Sequence, residues 1–206
     1  MPKSKAKPQQ ETRIQAQNRA VILSAALEAF SAYGFRGATV DQIAEKAGLS
    51  KPNLLYYFRR KEDIYVALLE QTLDEWLAPL RLLNADGEPI AELTRYISEK
   101  LDMSFAGSKA SRLFANEILH GAPHVGAFLK GPLRKLVEEK STVIRRWISE
   151  GRIKPVDPEH FIFAIWAVTQ HYADFSSQVE SVLGAEPEKA KVKQSVLDIL
   201  LRGLKA

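Results

Sequence analysis

Apolar residues recur along this chain every three to four positions and seldom alternate, which predicts helix for nearly everything, with weak strand signals. From 12 to 33, Ile22, Ala26, Ala29, Phe30 and Tyr33 share one helical face, and Gly34 ends the segment. Two short helical segments, 39–47 and 50–58, follow on either side of Gly48. A longer one runs from Lys61 to Leu80, with Ile64, Leu68, Leu69, Thr72 and Trp76 inward, until Pro79 and Asp86-Gly87 break it. Segments 88–105, 109–120 and 126–150 come next, parted by Gly107-Ser108 and by His120-Gly121-Ala122-Pro123. Asp157-Pro158, an N-cap before a first-turn proline, opens a helix predicted to reach Leu183, and 187–204 forms the last.

The 158–183 helix is apolar all round over Phe161-Ile162-Phe163-Ala164-Ile165-Trp166-Ala167-Val168, so a core or a second subunit must cover it. The last helix adds a stripe of Val192, Val196, Ile199, Leu200 and Leu204. Paired with their copies, these two helices would form a two-fold, four-helix interface; burial in one monomeric core is the other reading. The expected fold class is all-α: a basic flexible tail over 1–17, a three-helix head over 18–65 and a helical body over 66–206.

Residues 39–61 carry the most information. Thr39 and Gln42 have capping-box spacing, and Ile43, Ala44 and Ala47 form the apolar face of the helix they open. Gly48 supplies a left-handed turn, Leu49 packs inward, and Ser50 caps a second helix with Lys51 and Pro52 in its first turn. Leu54 and Phe58, four apart, hold that helix to a core, leaving Lys51, Asn53, Leu55, Tyr56 and Tyr57 toward the open side. A helix-turn-helix reads DNA from that side, although helical hairpins of this kind also occur as plain scaffold.

Charge favours DNA. Net charge is +4 for the chain, yet residues 1–65 hold 11 Lys/Arg against 6 Asp/Glu, while the remainder holds 18 against 19. The positive excess thus lies with the helix-turn-helix and its tail, where phosphate contacts would need it. The 206 residues leave ample chain for a second core beyond a helix-turn-helix module. The absence of cysteine excludes disulfides, Cys-ligated zinc and thiol catalysis, and suits a reducing cytoplasm. The basic Met-Pro-Lys-Ser-Lys-Ala-Lys-Pro start has no apolar stretch behind it, so neither a signal peptide nor a membrane partner is expected.

Ala-Phe-Ser-Ala-Tyr-Gly-Phe-Arg-Gly-Ala-Thr-Val-Asp-Gln-Ile-Ala-Glu-Lys-Ala-Gly-Leu-Ser-Lys and Tyr-Tyr-Phe-Arg-Arg-Lys-Glu-Asp-Ile closely resemble the DNA-binding signature of the TetR family of one-component transcriptional repressors. The resemblance implies an all-α homodimer with a DNA head and a ligand-binding, dimerising body, whose partners are operator DNA and a small effector. Thr39, Gln42, Pro52 and Leu55 then join the DNA-binding set, Lys51 and Asn53 open the recognition helix, and Tyr56, Tyr57 and Lys61 contact backbone or bases. Leu55 departs from the family's frequent aromatic and could meet a thymine methyl. Arg60 replaces the usual capping Ser or Thr, which predicts a loosely started fourth helix and a guanidinium free for phosphate. A narrower similarity, in Trp76-Leu77-Ala78-Pro79-Leu80, Ala110-Ser111-Arg112-Leu113-Phe114 and Ile165-Trp166-Ala167-Val168-Thr169-Gln170-His171-Tyr172-Ala173-Asp174-Phe175, is to the branch of the family that regulates pyrimidine use.

In the body, Trp166, Gln170 and Asp174 are spaced i, i+4, i+8 along one helical face. Buried amides and carboxylates need partners. A flat heterocycle with N–H and C=O edges would satisfy them, with Gln170 donating and accepting, Asp174 accepting, and Trp166 or Trp76 stacking. Uracil and thymine have that edge pattern; a protein-only network is the alternative. Arg112 and Asn116, also i, i+4, are candidates for the same cavity or for an ordinary structural pair. No cofactor is expected. An enzyme using His171 and Asp174 as acid and base is a rival reading, but no nucleophile elbow, phosphate loop or metal motif accompanies them. His120 and His124 are separated by Gly121 and Pro123, which disfavours a shared helical face for zinc. A DNA-binding protein whose body takes a protein partner is the other rival.

Overall fold

A computed structural model describes residues 13–106 and 108–205, and every named element within it is helical. The basic tail expected over 1–17 lies outside the described residues as far as residue 12, and so does Gly107. The chain divides into two compact units, the first ending at Leu68 and the second beginning at Leu69.

The first unit contains α1 (Arg13–Gly37), α2 (Val40–Lys46), α3 (Lys51–Tyr57) and the opening of α4 (Lys61–Arg81). Ile22, Ala26, Ala29, Phe30, Ile43, Ala44, Leu54, Phe58, Ile64 and Tyr65 are buried in it. Phe30 and Phe35 pack on the Tyr65 ring at 5.0 and 4.8 Å between centroids. Gly34 interrupts α1 with φ 67° and ψ 173°, after which the chain coils on to Gly37.

Arg60 differs from expectation. Asp63, three residues on, accepts the Arg60 backbone N–H at 3.0 Å, the reciprocal half of a capping box, and its other oxygen pairs with the Arg60 guanidinium at 3.0 Å. The guanidinium is thus engaged within the chain, and the start of the fourth helix keeps one half of a capping box.

The second unit holds the rest of α4 with α5 (Pro89–Ala106), α6 (Ser108–Leu119), α7 (Gly126–Phe128), α8 (Arg134–Ser149), α9 (Pro158–Asp174), α10 (Ser176–Leu183) and α11 (Lys189–Leu201). α5 lies against α9 and α11, and α6 and α8 also pack on α9. Leu93, Tyr96, Ile97, Leu101, Ile144, Trp147, Ile162 and Ile165 lie at the centre of this core. The turn before α5 is strapped to α8 and its end: Trp147 Nε1 donates to the Ala85 carbonyl at 2.9 Å, and Arg152 donates to the carbonyls of Ala85 and Gly87.

Two predicted helices are interrupted. The 126–150 segment passes through a π-turn at Leu129–Leu133 that contains Pro132, whose ring cannot donate to the regular ladder. The 158–183 segment breaks at Phe175, φ −117° and ψ 29°.

The C-terminal stripe also divides differently. Val192, Val196 and Leu204 are buried in the chain's own core and Leu200 packs against it, whereas Ile199 is 73% exposed. On α9, Phe163, Ala167 and His171 face outward, and Phe175 continues that row. Of the residues on the two C-terminal helices expected to form a seam, Val192, Val196 and Leu204 are thus taken up internally, while this row and Ile199 remain open to a second subunit.

Candidate functional site

Two places concentrate polar chemistry, one in each unit. In the first, Thr39 and Gln42 form a reciprocal capping box: Thr39 Oγ1 accepts the Gln42 N–H at 3.2 Å, and Gln42 Oε1 accepts the Thr39 N–H at 2.8 Å. Gly48, with φ 66°, turns the chain, and Ser50 Oγ accepts the Asn53 N–H at the start of α3. Leu54 and Phe58 are buried, so rotation about α3 is fixed. Lys51, Pro52, Asn53 and Tyr56 are thereby exposed, and Leu55 and Tyr57 are half-buried.

This face contains partnerships that spacing alone did not reveal. Lys51 Nζ lies 2.9 Å from Asp41 Oδ2, with both side chains largely exposed. The Asn18 amide donates to the Tyr57 hydroxyl at 2.7 Å, which leaves the phenolic proton available to an outside acceptor. Arg19 covers the Phe58 ring at 4.5 Å, fixing α1 beside α3.

Lys61, expected among the DNA contacts, is engaged elsewhere. Its ammonium donates to the carbonyls of Phe35 at 2.7 Å and Ala38 at 2.8 Å, with Arg36 at 3.4 Å, and lies over the Phe35 ring. It satisfies carbonyls that the end of α1 leaves without helical partners.

In the second unit, Trp76 of α4, Lys100, Met103 and Ser104 of α5, Ser111 of α6 and Gln170 of α9 line a cavity of about 210 Å³, counted to its open mouth. Lys100 is 4% exposed, and its ammonium stands 5.4 Å from the centre of the Trp76 ring. Burial pulls its pKa down to about 8, partly offset by the Asp174 carboxylate. The Trp76 ring is held edge-on by Phe114 at 5.5 Å. No described residue hydrogen-bonds the half-buried Gln170 amide.

The other expected ligand residues are placed differently. Asp174 does not line the cavity; it accepts a short hydrogen bond from Ser111, which does. Trp166 donates its indole N–H to the Tyr96 hydroxyl at 2.7 Å, and burial raises the Tyr96 pKa against the smaller effect of that bond. Trp166 thus braces α9 on α5 and is not a wall of the cavity. Arg112 and Asn116 lie on the exposed side of α6, because the residue facing inward is Ser111.

His171 stacks on Phe175 at 5.1 Å on the outer face, while Asp174 turns to Ser111, so no acid–base pair forms between them. His124 is held by the buried Glu117 carboxylate at 3.1 Å, and His120 by the Asn116 carbonyl. No metal-binding cluster occurs among the described residues.

Sequence reasoning missed Asn18, Asp41, Lys100 and Ser111. One signal was available. Lys100 stands on the stripe of Leu93, Tyr96, Ile97 and Leu101, where a lone lysine marks either a structural pair or a site.

A solvent-facing helix bearing a lysine, an asparagine and a tyrosine, seated on a capped helix-turn-helix, defines a DNA-binding regulator. The model for bacterial regulatory proteins of the tetR family matches residues 22–68, and that for the C-terminal region of YcdC-like proteins matches 69–206. The chain is 54% identical over 164 residues to the HTH-type transcriptional regulator RutR of Escherichia coli K12, covering 80% of this chain and 77% of that one. It is 29% identical over 197 residues to the HTH-type transcriptional repressor NicS of Pseudomonas putida, covering 89% and 91%. A TetR/AcrR-family regulator of Thermobifida fusca superposes with a TM-score of 0.68 at 22% identity, covering 91% of this chain and 98% of that one. The chain belongs to the TetR family of transcriptional regulators, a family of DNA-binding proteins and not of enzymes. No helix among the described residues is long and apolar enough to cross a membrane.

Proposed function

We propose that this protein is a one-component repressor whose operator binding is controlled by a pyrimidine base, uracil or thymine, held in the body cavity. The observation that carries the reading is the pairing, in one small cavity, of the flat Trp76 ring with a Gln170 amide that no described residue engages. An amide offers one acceptor and two donors, complementary to an N–H beside a C=O. The similarity of the Ile165–Phe175 segment to regulators of pyrimidine use points the same way, and NicS, a relative along nearly the whole chain, is a repressor.

On this reading two copies bind a two-fold operator, each presenting Lys51, Asn53, Leu55, Tyr56 and Tyr57 from α3 to the major groove. Because α4 runs unbroken from Lys61 to Arg81, a ligand seated on Trp76 acts on the helix that also carries the Asp63 cap. Its effect on DNA binding equals its differential affinity for the two states of the protein.

Calorimetry with uracil, thymine and adenine, and gel shifts on sequences selected from a random DNA pool, test the proposal. Both pyrimidines should bind and change operator affinity, and adenine should not. Tyr57→Phe should weaken operator binding by about 1–3 kcal/mol, the range for one good contact. Absence of pyrimidine binding would remove the effector, and unchanged operator binding in Tyr57→Phe would remove that contact.

A further inference from the structure

We infer that Lys100 is the specificity-determining residue of the cavity, selecting rings that present a carbonyl oxygen and rejecting those that present an amino group at the same position. The inference rests on the proposed pyrimidine site and adds to it a chemical filter.

The ammonium of Lys100 is an unusual wall. Its residue is 96% buried by accessible area, from the exposure of 4%, yet it donates no hydrogen bond to any described residue. It faces the Trp76 ring and feels the Asp174 carboxylate, but Asp174 is itself bonded to Ser111. An ammonium carries three donors and no acceptor, so where Lys100 lines the cavity it calls for an acceptor from a bound molecule. A ring carbonyl brought into the cavity supplies that acceptor. An exocyclic amino group points its own N–H bonds at the ammonium, so donor meets donor and positive meets positive.

Gln170, the other unpartnered polar wall, cannot make this distinction, because its amide presents either end according to how it is turned. The hydroxyls of Ser104 and Ser111 are already committed, to the Lys100 carbonyl at 3.0 Å and to Asp174. Among the cavity's side chains the indole N–H of Trp76 is also donor-only, but neutral; Lys100 is the charged fixed donor. The ligand class that satisfies it is a planar ring that turns a carbonyl to the ammonium; uracil and thymine offer one on either side of an N–H, whereas cytosine keeps the carbonyl on one side and is disfavoured where its amino-bearing edge faces Lys100.

Calorimetry of uracil and cytosine on the full chain, with Lys100→Met and Lys100→Gln beside wild type, tests this inference. Wild type should bind uracil at least about 10–100-fold more tightly than cytosine, the scale of one hydrogen bond to a charged group. Lys100→Met, close in length and without donors, should lose most of that ratio by weakening uracil and sparing cytosine. Lys100→Gln can accept as well as donate, so it should narrow the ratio by admitting cytosine, and it stands in for the methionine variant if that one does not fold. A variant that folds by circular dichroism and keeps the wild-type ratio would overturn the role of Lys100 while leaving the pyrimidine site standing. A wild type that binds no uracil would overturn the pyrimidine site, and this inference with it.

Discussion

Lys51, at the tip of the exposed helix α3, is held 2.9 Å from the Asp41 carboxylate of α2. In the free protein a cation placed for DNA is thus partly neutralised by its neighbour. Such exposed pairs are worth about 0.2–1 kcal/mol. Asp41→Asn should therefore tighten DNA binding by up to about fivefold, most visibly at low salt, where like-charge repulsion between Asp41 and phosphate is least screened. Lys51→Ala should weaken operator binding by about 1–3 kcal/mol and cancel the gain in the double variant. Gel shifts of the four proteins across a salt series would check this; an unchanged affinity in Asp41→Asn would show that the pair does not compete with DNA.

Lys61 closes the carbonyl end of α1 and is expected to act on stability. Lys61→Met should cost roughly 1–3 kcal/mol, because carbonyls of Phe35 and Ala38 lose a charged donor. The measurement is thermal unfolding by circular dichroism. A variant that melts like wild type but binds DNA weakly would return Lys61 to the DNA face.

The buried lysine gives stability a pH dependence of definite sign. Folding lowers the Lys100 pKa from 10.5 to about 8, so the unfolded chain holds this proton more strongly than the folded one. The cost is present in full below pH 8 and is relieved as pH rises from about 8 to 10.5, by up to about 3 kcal/mol for a shift of this size. Wild type should therefore gain stability over that window relative to Lys100→Met. Urea unfolding at pH 7, 8.5 and 10 reads the difference directly; parallel curves for the two proteins would mean that Lys100 is not held in the charged, desolvated state.

The outward row of Phe163, Ala167, His171 and Phe175, with Ile199, is the surface a second copy would cover. Phe163→Asp and Ile199→Asp should yield folded monomers in sedimentation experiments, since both side chains are about half or more exposed in the single chain. Val196→Asp should instead unfold the body, because Val196 is 1% exposed in its core and a lone charge there has no partner. Dimers that survive both outward substitutions would place the interface elsewhere.

The helix-turn-helix was legible because its determinants are local. Thr39 with Gln42, Gly48, Ser50 and the Leu54–Phe58 pair each act within a few residues, and the structure forms the caps and the turn at those positions. The body was legible as helices but less so as a site. Spacing puts Arg112 and Asn116 on a common face without saying that Ser111, one residue earlier, is the one turned inward. Likewise Trp166 and Asp174 share a face with Gln170, yet Tyr96 and Ser111, distant in sequence, claim their polar atoms. The predicted seam over Val192, Val196, Ile199, Leu200 and Leu204 mixed two directions, because an apolar stripe does not distinguish an internal core from a partner. Lys61 and Arg60 were read as surface cations, and only the folded head shows the carbonyls and the carboxylate that take them up.

Gly34 has a further consequence. A side chain there would meet nothing within 4 Å, so the position looks empty and permissive. Its torsions, φ 67° and ψ 173°, nonetheless fall where glycine is almost alone in being tolerated, and another residue would be strained by roughly 1–3 kcal/mol. Gly48 also has positive φ, but at the left-handed end of a helix, a place asparagine can fill. A saturation library of the head would therefore record Gly34 as one of its least replaceable sites and Gly48 as more forgiving. The first would be fixed by a torsion angle, with no contact to lose.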